Sequence, residues 1–258
     1  MAGSREARLA ALRGQIAAIQ AGTRTPTPVL PFGDAAIDGC FPGGGMPLGG
    51  WHEVTGAGLE DETGAATAAF VSLLLRPLVK TGAIVWVARR SDLFAPGLAG
   101  FGFPAERLIQ VRTRDEAETL SVLEDALSTQ GVAAAVGEAE APDLTAGRRL
   151  QLACEKRGGF GVLLHRRPYG GARKAAVSGS AAFSRWRIGP SPTPPPPDDI
   201  GLGPPRWRVE LERCRGGRAG AWILEAQEAG HGPHPFRLVS QLADHDVAPT
   251  QPGLRRVG

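Results

Sequence analysis

The chain has 258 residues and a mass of 26.9 kDa, with 42% hydrophobic and 21% charged residues. That is one domain with trimmings or two small ones, with enough apolar matter for a core to exclude global disorder. Three widely separated cysteines, Cys40, Cys154 and Cys214, exclude a disulfide scaffold and a CxxC metal site and fit a reducing cytoplasm; no apolar run approaches the ~18 residues of a membrane span, and the N-terminus lacks a signal-peptide core.

The net charge of +3 is mild but unevenly spread. Residues 106–143 hold nine acids against three bases, whereas 148–187 hold ten Lys/Arg against the single acid Glu155. One end of the expected core is therefore acidic and the other strongly basic.

In chain order, Leu9, Leu12, Ile16 and Ile19 are spaced three, four and three apart, one narrow apolar stripe on a helix over 1–21 with Ser4 as its N-cap. Such a helix is an interaction or self-association arm, or it packs on its own core. Residues 22–31 read as an extended linker, and a core is expected over 32–227. Gly50–Val54 reads as a strand, Ala65–Lys80 as a helix bent or ended by Pro77, and Ala83–Ala88 (AIVWVA) as a buried strand. A short helical piece near Leu93–Gly100 precedes a strand at Leu108–Val111, a helix at Asp115–Thr129 and a strand at Val132–Val136. A helix at Leu144–Arg157 and a strand at Phe160–His165 follow. Strands alternating with helices of this length predict an α/β fold, a mostly parallel sheet with helices on both faces. Phe183–Ile188, Trp207–Arg213 and Ala221–Ala226 then follow as strands without helices, expected as an antiparallel C-terminal extension, with a proline-rich loop at 189–205. The last stretch, 228–258, reads as a mostly flexible tail with one helix-like patch at Phe236–Leu242.

The turn from Gly56 to Thr67 follows a strand and opens a helix, the place where α/β folds hold phosphates on backbone amides and the helix dipole. A working GxxxxGK[ST] loop needs a lysine for the phosphates and a hydroxyl for Mg²⁺. Here Gly64 is followed by Ala65 and Ala66, Thr67 is one step late, and Glu60, Asp61 and Glu62 would repel a triphosphate by roughly 1 kcal/mol or more each. Taken alone, the segment is equally an ordinary glycine-rich loop.

Its surroundings resemble the entry to a RecA-family core. Ile37-Asp38, the turn Gly43-Gly44-Gly45-Met46-Pro47-Leu48-Gly49 and the strand His52-Glu53-Val54-Thr55-Gly56 match that family's apolar-Asp helix, glycine-rich turn and Glu-ending strand. With AIVWVARR, AAFSRWRIGPSP, RWRVELERCRGG and AWILEA, residues 29–226 resemble the ImuA family, damage-inducible mutagenesis proteins with a degenerate P-loop. The resemblance implies a RecA-like three-layer core, a cytoplasmic location and a role as a non-enzymatic accessory or scaffold subunit in error-prone translesion DNA synthesis of the SOS response. Implied partners are an ImuB-like Y-family pseudo-polymerase, an error-prone polymerase III alpha-type subunit, RecA, single-stranded DNA and a second copy of the chain, with no membrane and no cofactor. Two rival readings stay open: a divergent RecA-like ATPase and an SOS cell-division inhibitor. The departures favour a pseudo-ATPase: Arg89 and Arg90 stand near the catalytic carboxylate's place, and Gly137 stands near that of the metal-binding Asp, with Glu138 after it.

The resemblance to the RecA family implies that the segment after the fifth strand meets single-stranded DNA. Arg166, Arg167, Arg173 and Lys174 would neutralise phosphates there, and Tyr169 could stack on a base. The same loop could dock an acidic partner or simply be solvated. The triplets Arg185-Trp186-Arg187 and Arg206-Trp207-Arg208 put the two arginines of each on one face of a strand and the tryptophan on the other. They read as core tryptophans with solvated arginines, or as a positive sheet edge for phosphate or partner binding. His52 reads as packing and His165 as structural; His231, His234 and His245 lack metal-ligand spacing, and no metal site or nucleophile motif is evident.

Overall fold

The structure is a computed structural model that describes residues 27–140, 142–166, 180–195 and 201–242. The strands are β1 (Val29–Leu30), β2 (Met46–Pro47), β3 (Trp51–Gly56), β4 (Ala83–Ala88), β5 (Leu108–Arg112) and β6 (Val132–Ala139). They continue with β7 (Phe160–His165), β8 (Ser184–Ser191), β9 (Arg206–Cys214), β10 (Gly220–Ala226) and β11 (Phe236–Gln241). The helices are α1 (Ala35–Asp38), α2 (Glu60–Leu75), α3 (Ala95–Ala99), α4 (Glu116–Ser128) and α5 (Leu144–Arg157).

β1 and β2 form a small antiparallel pair; the other nine strands make one sheet in the order β11-β10-β9-β8-β3-β7-β6-β4-β5. Pairing is parallel from β8 through β3, β7, β6 and β4 to β5, and antiparallel from β8 outward to β11. The chain is thus a mixed α/β fold with a large, mostly parallel sheet and an antiparallel extension.

The central strands are apolar on both faces, and helices cover both. Phe70, Val71, Leu73 and Leu74 of α2 pack with Val54, Trp86, Val162 and Trp186 on one face. Leu123 and Leu127 of α4 and Leu150, Ala153 and Cys154 of α5 pack with Val85, Val87, Ala135 and Leu163 on the other. Helix starts follow local chemistry: the Asp115 side chain accepts from Glu118 N at 2.8 Å, and Asp143 accepts from Ala146 N at 2.7 Å. Gly158, at φ 71°, ends α5 in the left-handed region.

The limits of β4, α5 and β7 agree with the sequence expectation. Three expectations are corrected. α2 begins at Glu60 instead of Ala65, directly after Leu59, whose backbone is extended at the N-cap position. It ends at Leu75, one residue before a 3₁₀ turn at Arg76–Lys80 that contains Pro77. The helix-like patch at Phe236–Leu242 is the strand β11: its antiparallel pairing with β10 seats Phe236 against Phe70 of α2, ring centroids 4.8 Å apart. The stripe Leu9, Leu12, Ile16 and Ile19 lies outside the described residues.

Candidate functional site: a closed turn and a guanidinium-faced sheet

β3 leads into α2 through only Ala57, Gly58 and Leu59. Gly64, Ala65, Ala66 and Thr67 are therefore helical, beyond the first turn of α2, and not part of a loop. Thr63 folds back over the strand end: a Cβ on Gly56 would come within 2.2 Å of Thr63 Oγ1. Thr63 Oγ1 donates to the Leu59 carbonyl at 2.8 Å, and the buried Thr67 Oγ1 donates to the Gly64 carbonyl at 2.9 Å. Trp207 Nε1 donates to the Ala66 carbonyl at 2.9 Å, and Ala57 N donates to Ile188 O at 2.8 Å, tying the turn to β8 and β9. Both threonine hydroxyls spend their proton on the helix's own backbone, and Ala65 and Ala66 supply neither a cation nor an oxygen ligand.

The C-terminal ends of the parallel strands, where open α/β sheets usually bind ligands, carry an ion-pair chain. Trp86 Nε1 donates to Glu138 Oε1 at 2.7 Å, and Arg166 Nε lies 3.7 Å from Glu138 Oε2. Arg166 Nη2 reaches Asp92 at 2.8 Å, and Arg90 lies 3.9 Å from the same carboxylate. Glu138 is thus a buried carboxylate engaged by an indole and a guanidinium; among the described residues no three His, Cys, Asp or Glu side chains are grouped to hold a metal ion. His165 ends β7, in register with Thr55 on one side and Ala139 on the other.

The tryptophans of both RWR triplets are core residues, and their arginines share the other face of the sheet. These arginines have acidic partners. Arg185 Nε meets Glu53 at 2.7 Å, and Arg187 meets Glu210 at 2.6 Å and Glu212 at 3.3 Å. Arg206 meets Glu225 at 2.6 Å, and Arg208 meets Glu210 at 2.8 Å. Arg237 of β11 shares Glu225. Burial raises the Glu225 carboxyl, but hydrogen bonds from Arg237 and Arg206 outweigh it and hold the group below its ordinary value. At Glu210 burial is likewise outweighed, by Arg208 and Arg187.

The structure thus brings Arg185 and Arg187 onto one face and sets Arg166 apart in the strand-end chain. Arg167, Tyr169, Arg173 and Lys174 lie outside the described residues. Sequence reasoning missed Glu53, Glu210 and Glu225 as partners. Only the alternation in RWRVELE carried a signal, since it places Glu210 and Glu212 on the arginine face.

His52 lies buried beneath this region. Its Nδ1 is 2.7 Å from Ser184 Oγ, which also accepts from Trp186 Nε1 at 2.8 Å; its Nε2 is 3.3 Å from the Pro47 carbonyl. These contacts assign the proton to Nε2, and burial pulls the imidazole down to about 3. Burial also pushes the Cys154 thiol up to about 12 and Cys214 to about 11, so neither is a thiolate nucleophile near neutrality.

No family model matches the chain. Protein ImuA of Caulobacter vibrioides strain NA1000 is 81% identical over 242 residues, which is 92% of this chain and 99% of that protein. The chain belongs to the ImuA family. The ImuA protein of strain ATCC 19089 matches to the same extent. Among solved structures, SulA from Pseudomonas aeruginosa is similar over 45% of the chain and 98% of its own, at 18% identity and a TM-score of 0.39. For this member of the ImuA family, no helix among the described residues is long and apolar enough to cross a membrane.

Proposed function

We propose that this ImuA-family chain is a non-enzymatic accessory subunit of damage-inducible mutagenesis, acting as a scaffold in an error-prone translesion synthesis complex of the cytoplasm. Identity of 81% over nearly the whole length of the Caulobacter ImuA proteins carries this reading. The turn between β3 and α2 supports the non-enzymatic part. Its helix starts too early for Gly64–Thr67 to wrap a phosphate, its hydroxyls are consumed by backbone carbonyls, and two alanines stand where a lysine and a metal-binding hydroxyl are needed.

In this reading the core is a RecA-like platform whose nucleotide cradle is closed. Two sequence segments would supply its contacts: the basic run from Arg166 to Lys174 for single-stranded DNA or a partner, and the apolar residues Leu9, Leu12, Ile16 and Ile19 for a partner or a second copy. The proposed partners are an ImuB-like pseudo-polymerase and, through it, an error-prone polymerase III alpha-type subunit, with RecA as a further one. Co-expression of the full chain with the pseudo-polymerase and the polymerase subunit tests this. A ternary complex that survives gel filtration is expected, and independent elution of all three chains contradicts it.

A further inference from the structure

The face of β8–β11 that carries the RWR arginines has an order from the inside outward. Each carboxylate lies deeper than the guanidinium groups it holds: the Glu225 side chain is 7% exposed against 58% for Arg237, and Glu210 is 18% exposed against 49% for Arg208. Positive charge is in excess. Two arginines share Glu225, and Arg213, which faces Arg185 across the β8–β9 pair, donates to the Ser180 and Ala182 carbonyls and to no carboxylate among the described residues.

The guanidinium planes are held in place before any partner arrives, so little side-chain entropy is left to lose on binding. Arginines two apart on a strand repeat at roughly 6.7 Å, which is also the repeat of alternate side chains in an extended peptide. Bidentate Arg–carboxylate pairing then suits acidic residues at every second position. Single-stranded nucleic acid binds best where aromatic rings accept its bases. This face presents none among the described residues: Trp51, Trp86, Trp186, Trp207 and Trp222 are all buried in the core. The chain's own acidic helix is a poorer fit, since Glu118 and Glu124 are already paired with Arg114 and Arg149.

We propose that the guanidinium-faced sheet of β8–β11 docks an extended acidic segment of a partner protein, with Arg208 and Arg237 as its outermost contacts. The inference stands on this face and holds whether or not nucleotide binds the β3–α2 turn.

Fluorescence anisotropy with the full chain tests it, using a labelled twelve-residue peptide of alternating Glu and Thr and a labelled oligo(dT) twenty-mer. The peptide is expected to bind at low salt and to weaken at least about tenfold in Arg208→Gln/Arg237→Gln, as two charge-assisted contacts should. The neutral variant avoids setting new carboxylates against Glu210 and Glu225, and an unchanged thermal melt checks its fold. Oligonucleotide affinity is expected to be the same in both proteins. Absence of peptide binding, or binding indifferent to the substitutions, overturns the proposal. So does oligonucleotide binding that falls with the two arginines, which makes the face a nucleic-acid site.

Discussion

Lowering the pH from 7 to 5 is expected to destabilise the native chain by about 2 kcal/mol, and lowering it to 4 by about 3 kcal/mol, through His52 alone. The imidazole is fully enclosed, and burial takes its pKa from its ordinary value of 6.5 to about 3. The native state holds His52 neutral, and the unfolded chain takes up a proton below 6.5. Stability is therefore complete above that pH and is lost as pH falls toward 3, at up to ~1.4 kcal/mol per pH unit. The carboxylates held low by arginine, Glu210 and Glu225, act in the same direction but only below their ordinary value of 4.5. Between pH 6.5 and 5 His52 therefore contributes a slope that these carboxylates do not. Urea melts of the wild type and His52→Gln across this range check it: the variant loses stability at pH 7, and its curve between pH 7 and 5 is shallower by about 2 kcal/mol. A wild-type curve equally shallow from pH 7 to 5 removes the buried neutral imidazole from the account.

Glu53→Ala is expected to cost about 3 kcal/mol, a large effect for one polar residue. Glu53 is almost wholly buried in β3, accepts from Ser180 Oγ at 2.5 Å and pairs with Arg185 of β8 at 2.7 Å. Removing it strands a partly buried guanidinium and takes away the acceptor of the Ser180 hydroxyl. That residue belongs to a short segment pinned by Arg213, which donates to the Ser180 and Ala182 carbonyls, and by Arg215, which donates to the Ala181 carbonyl. The account sets the cost on the orphaned charge, so Glu53→Met/Arg185→Met is expected to recover much of the loss, a coupling of about 2 kcal/mol in a double-mutant cycle. A single-variant cost below about 1 kcal/mol, or strict additivity, contradicts the pairing.

The sequence was legible where one signal acted alone. AIVWVA has no competing reading as a buried strand, and Asp143 and Gly158 bracket α5. It misled where composition and position pulled apart. Gly56–Gly64 reads as one long glycine-rich loop, yet α2 already begins at Glu60, and that shift of five residues changes what Gly64–Thr67 can do. Phe236–Gln241 sits in a Gly/Pro/His-rich context, and only its pairing with β10 and the Phe70 ring makes it a strand. The arginine face was half legible. Period two placed Arg185 and Arg187 together, but Glu53 lies 132 residues from Arg185, a pairing no local pattern reports.

The β3–α2 turn is expected to hold no nucleotide. Titration calorimetry of the full chain with ATP and Mg²⁺ tests it most directly. No saturable heat is expected up to about millimolar nucleotide, for the wild type and also for Ala65→Lys/Ala66→Thr, because those positions lie inside a helix that starts at Glu60. Saturable micromolar binding by the wild type contradicts it.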